Sequence, residues 1–279
     1  MKLLRPALLS LLCAAGLAQA APPARVVGLG GAVTEIIYAL DAEKSLVGAD
    51  SSSIYPPAAL KLPKVGYYRA VSVEGLASLK PDLVLAADQA GPPQALEQIG
   101  KLGSKVVTLP SAPTVAALDQ RILGTATALE IPERGRALVD RLHADLRAIR
   151  PVSQPVRVLI VSSHTGKMQG MGKDTAGDAM LTLAGGTNVL AGQTGFKPFS
   201  AEAAAALKPD VIVTTTMSVG ASGSADAFLA QPGLNATPAA RNRRLVVMDD
   251  LLLLGFGPRL PEALRLLQTG LAAPQTAAR

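Results

Sequence analysis

The residues best suited to chemistry lie together at Val65-Gly66-Tyr67-Tyr68-Arg69, at the end of a proline-rich stretch from Ser51 to Pro63. A phenolate is a hard anionic donor that suits ferric iron, and a tyrosine can serve as the axial ligand of a haem. Free tyrosine ionises at about pH 10, so a nearby cation such as Arg69, together with the metal itself, must favour the deprotonated form. By residue type alone Tyr67 and Tyr68 read equally well as ordinary loop aromatics, because Tyr-x-Arg is a short pattern. The sequence has two histidines, His143 and His164. His143 falls on the polar face of a helical stretch and reads as a surface residue. His164 follows a strand-like run, where it can face a ligand or make a loop hydrogen bond.

An enzyme needs a nucleophile with its base, paired acids, or a metal with an open position. The sequence has no H-E-x-x-H, no G-x-S-x-G and no phosphate loop, and two widely separated histidines are too few for a dedicated zinc or manganese site. Gly28, Gly30 and Gly31 resemble a fragment of a dinucleotide loop but lack the full pattern, so a tight turn is expected there. A non-enzymatic role follows. The formal charge of +6 could suggest nucleic acid, yet only 3% of residues are aromatic and the chain carries an export signal, so no nucleic-acid partner is expected.

That signal is the segment from Met1 to Ala20: Lys2 and Arg5, an apolar run from Ala7 to Leu17, then Ala18-Gln19-Ala20, with cleavage expected after Ala20. The single cysteine, Cys13, lies inside it, and bulky Leu11 and Leu12 argue against lipidation there. No later run approaches the roughly 20 apolar residues of a membrane span.

The elements that must position these residues are read from an internal repeat. Ser72-Val73-Glu74-Gly75-Leu76-Ala77-Ser78-Leu79-Lys80-Pro81-Asp82 recurs as Ser200-Ala201-Glu202-Ala203-Ala204-Ala205-Ala206-Leu207-Lys208-Pro209-Asp210, and each copy runs into an apolar strand, Leu83 to Ala87 and Val211 to Thr215. In each copy a serine caps a helix start, a glutamate meets the positive end of the helix dipole, and a proline ends the helix. Strands at Arg25 to Gly28, Lys105 to Leu109, Val156 to Ser162 and Leu245 to Met248 alternate with helices at Thr34 to Leu40 and Ala176 to Ala184, which is the pattern of helix-covered parallel sheets. The fold class is therefore α/β: two Rossmann-like lobes with mostly parallel sheets joined by a long α-helical linker. The expected boundaries are a signal peptide at 1–20, an N-terminal lobe at 21–112, a linker at 113–150 and a C-terminal lobe at 151–279. The linker breaks at Ile131-Pro132, and its second half puts Leu138, Leu142, Leu146 and Ile149 on one face. Such a connector resists bending, so small lobe movements are expected.

The segment from Val65 to Glu74 resembles the periplasmic haem-binding proteins of bacterial haem ABC importers. So do His164-Thr165-Gly166, the run from Asp174 to Met180, and the run from Asp249 to Gly257. The similarity spans essentially the whole mature chain, and the order of the blocks is more specific than any one of them. The resemblance implies a periplasmic, monomeric carrier that binds haem (hemin) between its lobes and hands it to an inner-membrane ABC permease dimer with its ATPase. It implies Tyr67 as the axial iron ligand and Arg69 as its hydrogen-bonding partner, while Tyr68 stands where the family often has an apolar residue. It also assigns Glu74 and Glu202, one on each lobe, to docking on the permease, and allows His164 a role toward a second haem. Lys167, Lys173, Arg241, Arg243 and Arg244 are candidates for the propionates or for plain solvation, and Met168 and Met171 for lining the macrocycle or packing. A ferric siderophore or cobalamin is the alternative cargo, and a periplasmic haem-modifying enzyme the alternative of another class.

Overall fold

Two sheets whose central strands are aliphatic and buried on both faces carry the chain. The structure is a computed structural model that describes residues 22–272 apart from 153, 155, 164–167 and 199–200. The proposed leader and His164 lie outside the described residues. In the first lobe β1 (Val26–Leu29), β2 (Leu46–Ala49), β5 (Leu83–Ala87) and β6 (Lys105–Leu109) form a parallel sheet in the order β2-β1-β5-β6. Between β2 and β5 the chain makes a two-stranded antiparallel ribbon of β3 (Gly66–Tyr67) and β4 (Ala70–Val71). Three helices accompany this lobe: α1 (Gly31–Ala39), α2 (Val73–Ser78) and α3 (Pro93–Lys101). Every residue of β1 and β5 is buried, as expected of parallel strands covered by helices.

The connector is the helical pair α4 (Val115–Ala128) and α5 (Pro132–Arg147). Thr114 caps α4 by accepting from the Ala117 N–H at 3.1 Å, and Pro132 opens α5, where its missing N–H costs nothing. Leu138 and Leu142 are buried, and Leu146 and Ile149 pack beside them. His143 is not a free surface residue: its Nε2 lies 2.8 Å from Asp119 Oδ2, joining α5 to α4.

In the second lobe β7 (Arg157–Ser162), β8 (Gln169–Met171), β9 (Thr187–Asn188), β10 (Phe196–Pro198), β11 (Val211–Thr215) and β12 (Leu245–Met248) form one sheet in the order β10-β8-β7-β11-β12, with β9 also on β7. The β7, β9, β11 and β12 pairings are parallel, and β8 and β10 run antiparallel at one edge. Helices α6 (Ala176–Ala184), α7 (Ala201–Leu207), α8 (Thr216–Ala221), α9 (Ala225–Leu229), α10 (Pro238–Arg241), α11 (Asp250–Leu254) and α12 (Leu260–Ala272) surround it. Gly185, left-handed at φ 89°, ends α6, a conformation glycine adopts without a Cβ penalty.

The repeat is built twice in space. Asp82 accepts from the Arg25 N–H at 3.0 Å, and Asp210 from the Arg157 N–H at 2.9 Å. The guanidinium of Arg25 donates to the Leu79 carbonyl at 2.6 Å, and that of Arg157 to the Leu207 carbonyl at 2.7 Å. Lys80 and Lys208 both sit at φ 45°. Each copy thus ties the end of its helix to the start of the lobe's first strand, leaving α2 and α7 in equivalent places. Ser72 caps α2 as expected, accepting from the Gly75 N–H at 3.2 Å.

One hydrophobic cluster runs through both lobes and the connector, joining Ile36 of α1, Leu118 and Ile122 of α4, Leu142 of α5, Met180 of α6 and Leu264 of α12. Satellite clusters fill the outer face of each sheet.

Candidate functional site

Tyr67 ends β3, and Tyr68 and Arg69 are the two-residue turn that returns the chain as β4. Gly66 makes this geometry possible: at φ 99° it occupies a region where other residues are strained. The hairpin is held at its base by backbone bonds, Ser51 N–H to the Gly66 carbonyl at 2.8 Å and Gly91 N–H to the Tyr68 carbonyl at 2.9 Å.

Beneath it lies Asp50, fully buried at the end of β2. Its Oδ1 accepts from the Gly30 N–H at 2.9 Å and the Ser53 hydroxyl at 2.8 Å; its Oδ2 accepts from the Ser52 N–H at 2.8 Å and the Tyr68 N–H at 3.2 Å. One carboxylate therefore fastens three loops, and charged acceptors make the stronger hydrogen bonds. Sequence reasoning missed Asp50, because its role exists only once those loops converge.

The tyrosine rings meet edge to face with centroids 4.7 Å apart. Tyr67 is 46% exposed and Tyr68 is half-buried. The Arg69 guanidinium lies 5.2 Å from the centre of the Tyr68 ring, not over Tyr67, and donates to the Gln89 side-chain oxygen. Burial, assisted by Tyr67, pushes the Tyr68 phenol up to about 12, against the opposing pull of Arg69. The order in space is thus Arg69, Tyr68, Tyr67, with the middle phenol held protonated.

These residues line one side of a cavity of about 600 Å³ between the lobes, within the roughly 300–1,000 Å³ usual for small-molecule sites. From the first lobe come the turn at Gly30 and Gly31, Ser51, Ser52, and the Tyr67-Tyr68-Arg69 hairpin. The second lobe contributes Asp174 to Ala176 at the start of α6, Phe196, Met217 and the α11 segment through Phe256. Phe196 and Met217 are exposed apolar side chains in this wall. Asp250, nearly buried, mirrors Asp50: its Oδ2 accepts from the Thr216 hydroxyl at 2.9 Å and the Met217 N–H at 3.0 Å.

Arg121 of α4 lines the same cavity and is 2% exposed. Its Nε donates to the Pro110 carbonyl at 2.6 Å and Nη1 to the Phe256 carbonyl at 3.3 Å, so it bonds both lobes from the connector. Burial lowers its pKa to about 10, with Asp88 acting the other way, so it is a cation at neutral pH. Sequence reasoning missed Arg121, whose local signal is only a charge on the helix face buried through Leu118, Ile122 and Thr125.

Other candidates lie elsewhere. Met171 is fully buried and Met168 packs in the outer cluster of the second lobe, so both are packing residues. Arg243 pairs with Asp226 at 2.5 Å, Arg244 donates to the Leu271 carbonyl at 3.1 Å and Arg241 to the Ala236 carbonyl at 2.7 Å; none lines the cavity. Lys173 is exposed outside its lining, and Lys167 falls outside the described residues. Glu74 is exposed in the first turn of α2. Glu202 lies in α7, and its side chain is outside the described part. Among the described residues no group of His, Cys, Asp or Glu converges to hold a metal, and no helix is long and apolar enough to cross a membrane.

A single cleft bounded by two matched α/β lobes, with loops from both at its rim and a helical pair behind, defines a two-lobed ligand-binding protein. The chain belongs to the periplasmic binding protein family, whose model matches residues 26–252. It superposes with a TM-score of 0.82 on the periplasmic haem-binding protein BhuT in complex with two haems, at 44% identity over 89% of this chain and 99% of that one. It is 31% identical over 248 residues to an uncharacterised ABC-transporter substrate-binding lipoprotein of Bacillus subtilis, covering 86% of this chain and 77% of the relative. It is also 31% identical over 192 residues to the vitamin B12-binding protein of Pectobacterium atrosepticum, 66% of this chain and 67% of the relative.

Proposed function

We propose that this protein is an exported carrier that binds haem in the cleft between its lobes and delivers it to an inner-membrane ABC transporter, with no turnover of its own. In this reading the leader is cut after Ala20, Tyr67 supplies the axial oxygen to ferric iron, and Glu74 and Glu202 dock the two lobes on the permease. The observation that carries it is the exposed Tyr67 phenol, held by an Asp50-anchored hairpin at the wall of an inter-lobe cavity. The high pKa of the Tyr68 phenol supports assigning the phenolate to Tyr67 and leaving Tyr68 as a neutral neighbour beside Arg69. The likeness to a haem-binding protein over nearly the full length of both chains favours haem over other cargo.

The vitamin B12-binding relative supports a second reading, in which Tyr67, Tyr68 and Phe196 are aromatic walls for a corrinoid without ligating its metal. Titrating the apo-protein with haemin and, separately, with cobalamin distinguishes them. The haem reading expects a stable ferric spectrum that Tyr67→Ala abolishes or converts, with affinity falling about a hundredfold on loss of the metal bond. Uptake of cobalamin but not haemin would transfer the assignment to the corrinoid. Bleaching of the porphyrin bands under a reductant would instead indicate a haem-modifying enzyme.

A further inference from the structure

The terminal Nη2 of Arg121 is buried and has no hydrogen-bond partner among the described residues, while the residue's other two nitrogens are engaged by carbonyls of Pro110 and Phe256. Those carbonyls are neutral, and Asp88, whose side chain bonds Ser111, acts on the cation only through space. A buried cation without a carboxylate partner is costly unless a ligand supplies the countercharge. Arg121 lines the inter-lobe cavity, and among the described residues its hydrogen bonds go to carbonyls, none to a carboxylate. Nη2 itself has no exposed surface, so engaging a ligand requires the guanidinium to turn toward the cavity that the residue borders.

We propose that Arg121 is the cleft's anion anchor, binding a carboxylate of the cargo through its unpartnered Nη2. This rests on the haem reading and deepens it: the carboxylate is a haem propionate, inserted toward the connector. The planar fork suits a carboxylate and offers nothing comparable to a neutral ester or amide. Because the same guanidinium bonds both lobes, an arriving propionate would be sensed where they join.

The test compares haemin with its dimethyl ester, in which both propionates are neutral, by spectral titration of the full chain. The wild type is expected to prefer haemin over the ester by about tenfold or more, the size of one charge-assisted hydrogen bond. Arg121→Gln is expected to remove that preference by weakening haemin about tenfold more than the ester, a split that general loosening of the cleft, which weakens both alike, would not produce. Arg121→Lys, which keeps a cation without the fork, should retain part of the preference, and serves as the probe if the glutamine variant does not fold. Equal wild-type affinities for acid and ester, or an undiminished preference in either folded variant, would overturn the anchor while leaving haem binding intact. Failure of the wild type to take up either porphyrin would overturn the haem reading and the anchor with it.

Discussion

Tyr67 and Tyr68 are neighbours in sequence with the same side chain, and the fold gives them different chemistry. Tyr67 projects from the end of a strand into the cleft, while Tyr68 turns back into partial burial between Tyr67 and Arg69. Desolvation disfavours the Tyr68 phenolate, so its pKa rises from 10.0 to about 12. Between those two pH values the folded state holds a proton that the unfolded state has released, so the Tyr68 contribution to stability falls as pH rises across that window. An alkaline absorbance titration is expected to show a late phenol ionising near pH 12 that disappears in Tyr68→Phe. Survival of that step in the variant would mean another tyrosine carries it. The same asymmetry predicts that Tyr68→Phe keeps a phenolate-ligated ferric spectrum, whereas Tyr67→Phe does not.

At the scale of elements, the hairpin is only as firm as the carboxylate beneath it. Asp50→Asn replaces one acceptor oxygen with an amide N–H₂ that faces backbone N–H or hydroxyl donors, and is expected to cost about 3 kcal/mol of stability. Thermal unfolding measures that loss, and a broadened or mixed ferric spectrum with haemin would report the slackened Tyr67. An unchanged melting temperature would show that Asp50 does not hold the loops. The main strands were legible in advance: β5, β6, β11 and β12 occupy the ranges their apolar runs indicate, as does α6, which stops at its glycine. α1 begins at Gly31, three residues before the expected Thr34, because the turn at Gly30 feeds directly into the helix. The β3–β4 ribbon was not legible, since two residues per strand are too few to show alternation. At the site, Tyr67, Tyr68 and Arg69 could be picked out from residue type and local spacing. The placement of Arg69 on Tyr68, the Asp50 anchor and the cavity-facing side of Arg121 depend on contacts between segments far apart in sequence, which no local pattern encodes.

For the molecule as a whole, the duplicated tie between helix end and first strand sets α2 and α7 in equivalent positions, and with them the proposed docking residues. Replacing Glu74 and Glu202 together by alanine is expected to leave haemin binding at the wild-type level while abolishing stimulation of a reconstituted transporter's ATPase. Each single replacement should weaken docking by about tenfold, as for loss of one interfacial charge pair. A double variant that still drives the transporter would place the docking surface elsewhere.

The seam between the lobes has its own chemistry. Glu35 of α1, 3% exposed, accepts from Arg259 at 3.0 and 3.3 Å; that guanidinium also reaches Asp249 at 3.3 Å and stacks 3.4 Å from the centre of the Tyr55 ring. Burial pushes the Glu35 carboxyl upward while Arg259 works against it. Nearby, a Cβ on Gly31 would lie 2.5 Å from the Ser52 carbonyl oxygen and 2.6 Å from a Leu251 methyl, so the lobes meet with no room for a side chain. Prying the halves apart would separate Glu35 from Arg259 and break both hydrogen bonds between them. The ion pair therefore biases the two lobes toward the joined arrangement. In the proposed delivery role, a receptor that separates the lobes to release the cargo would have to break this clasp.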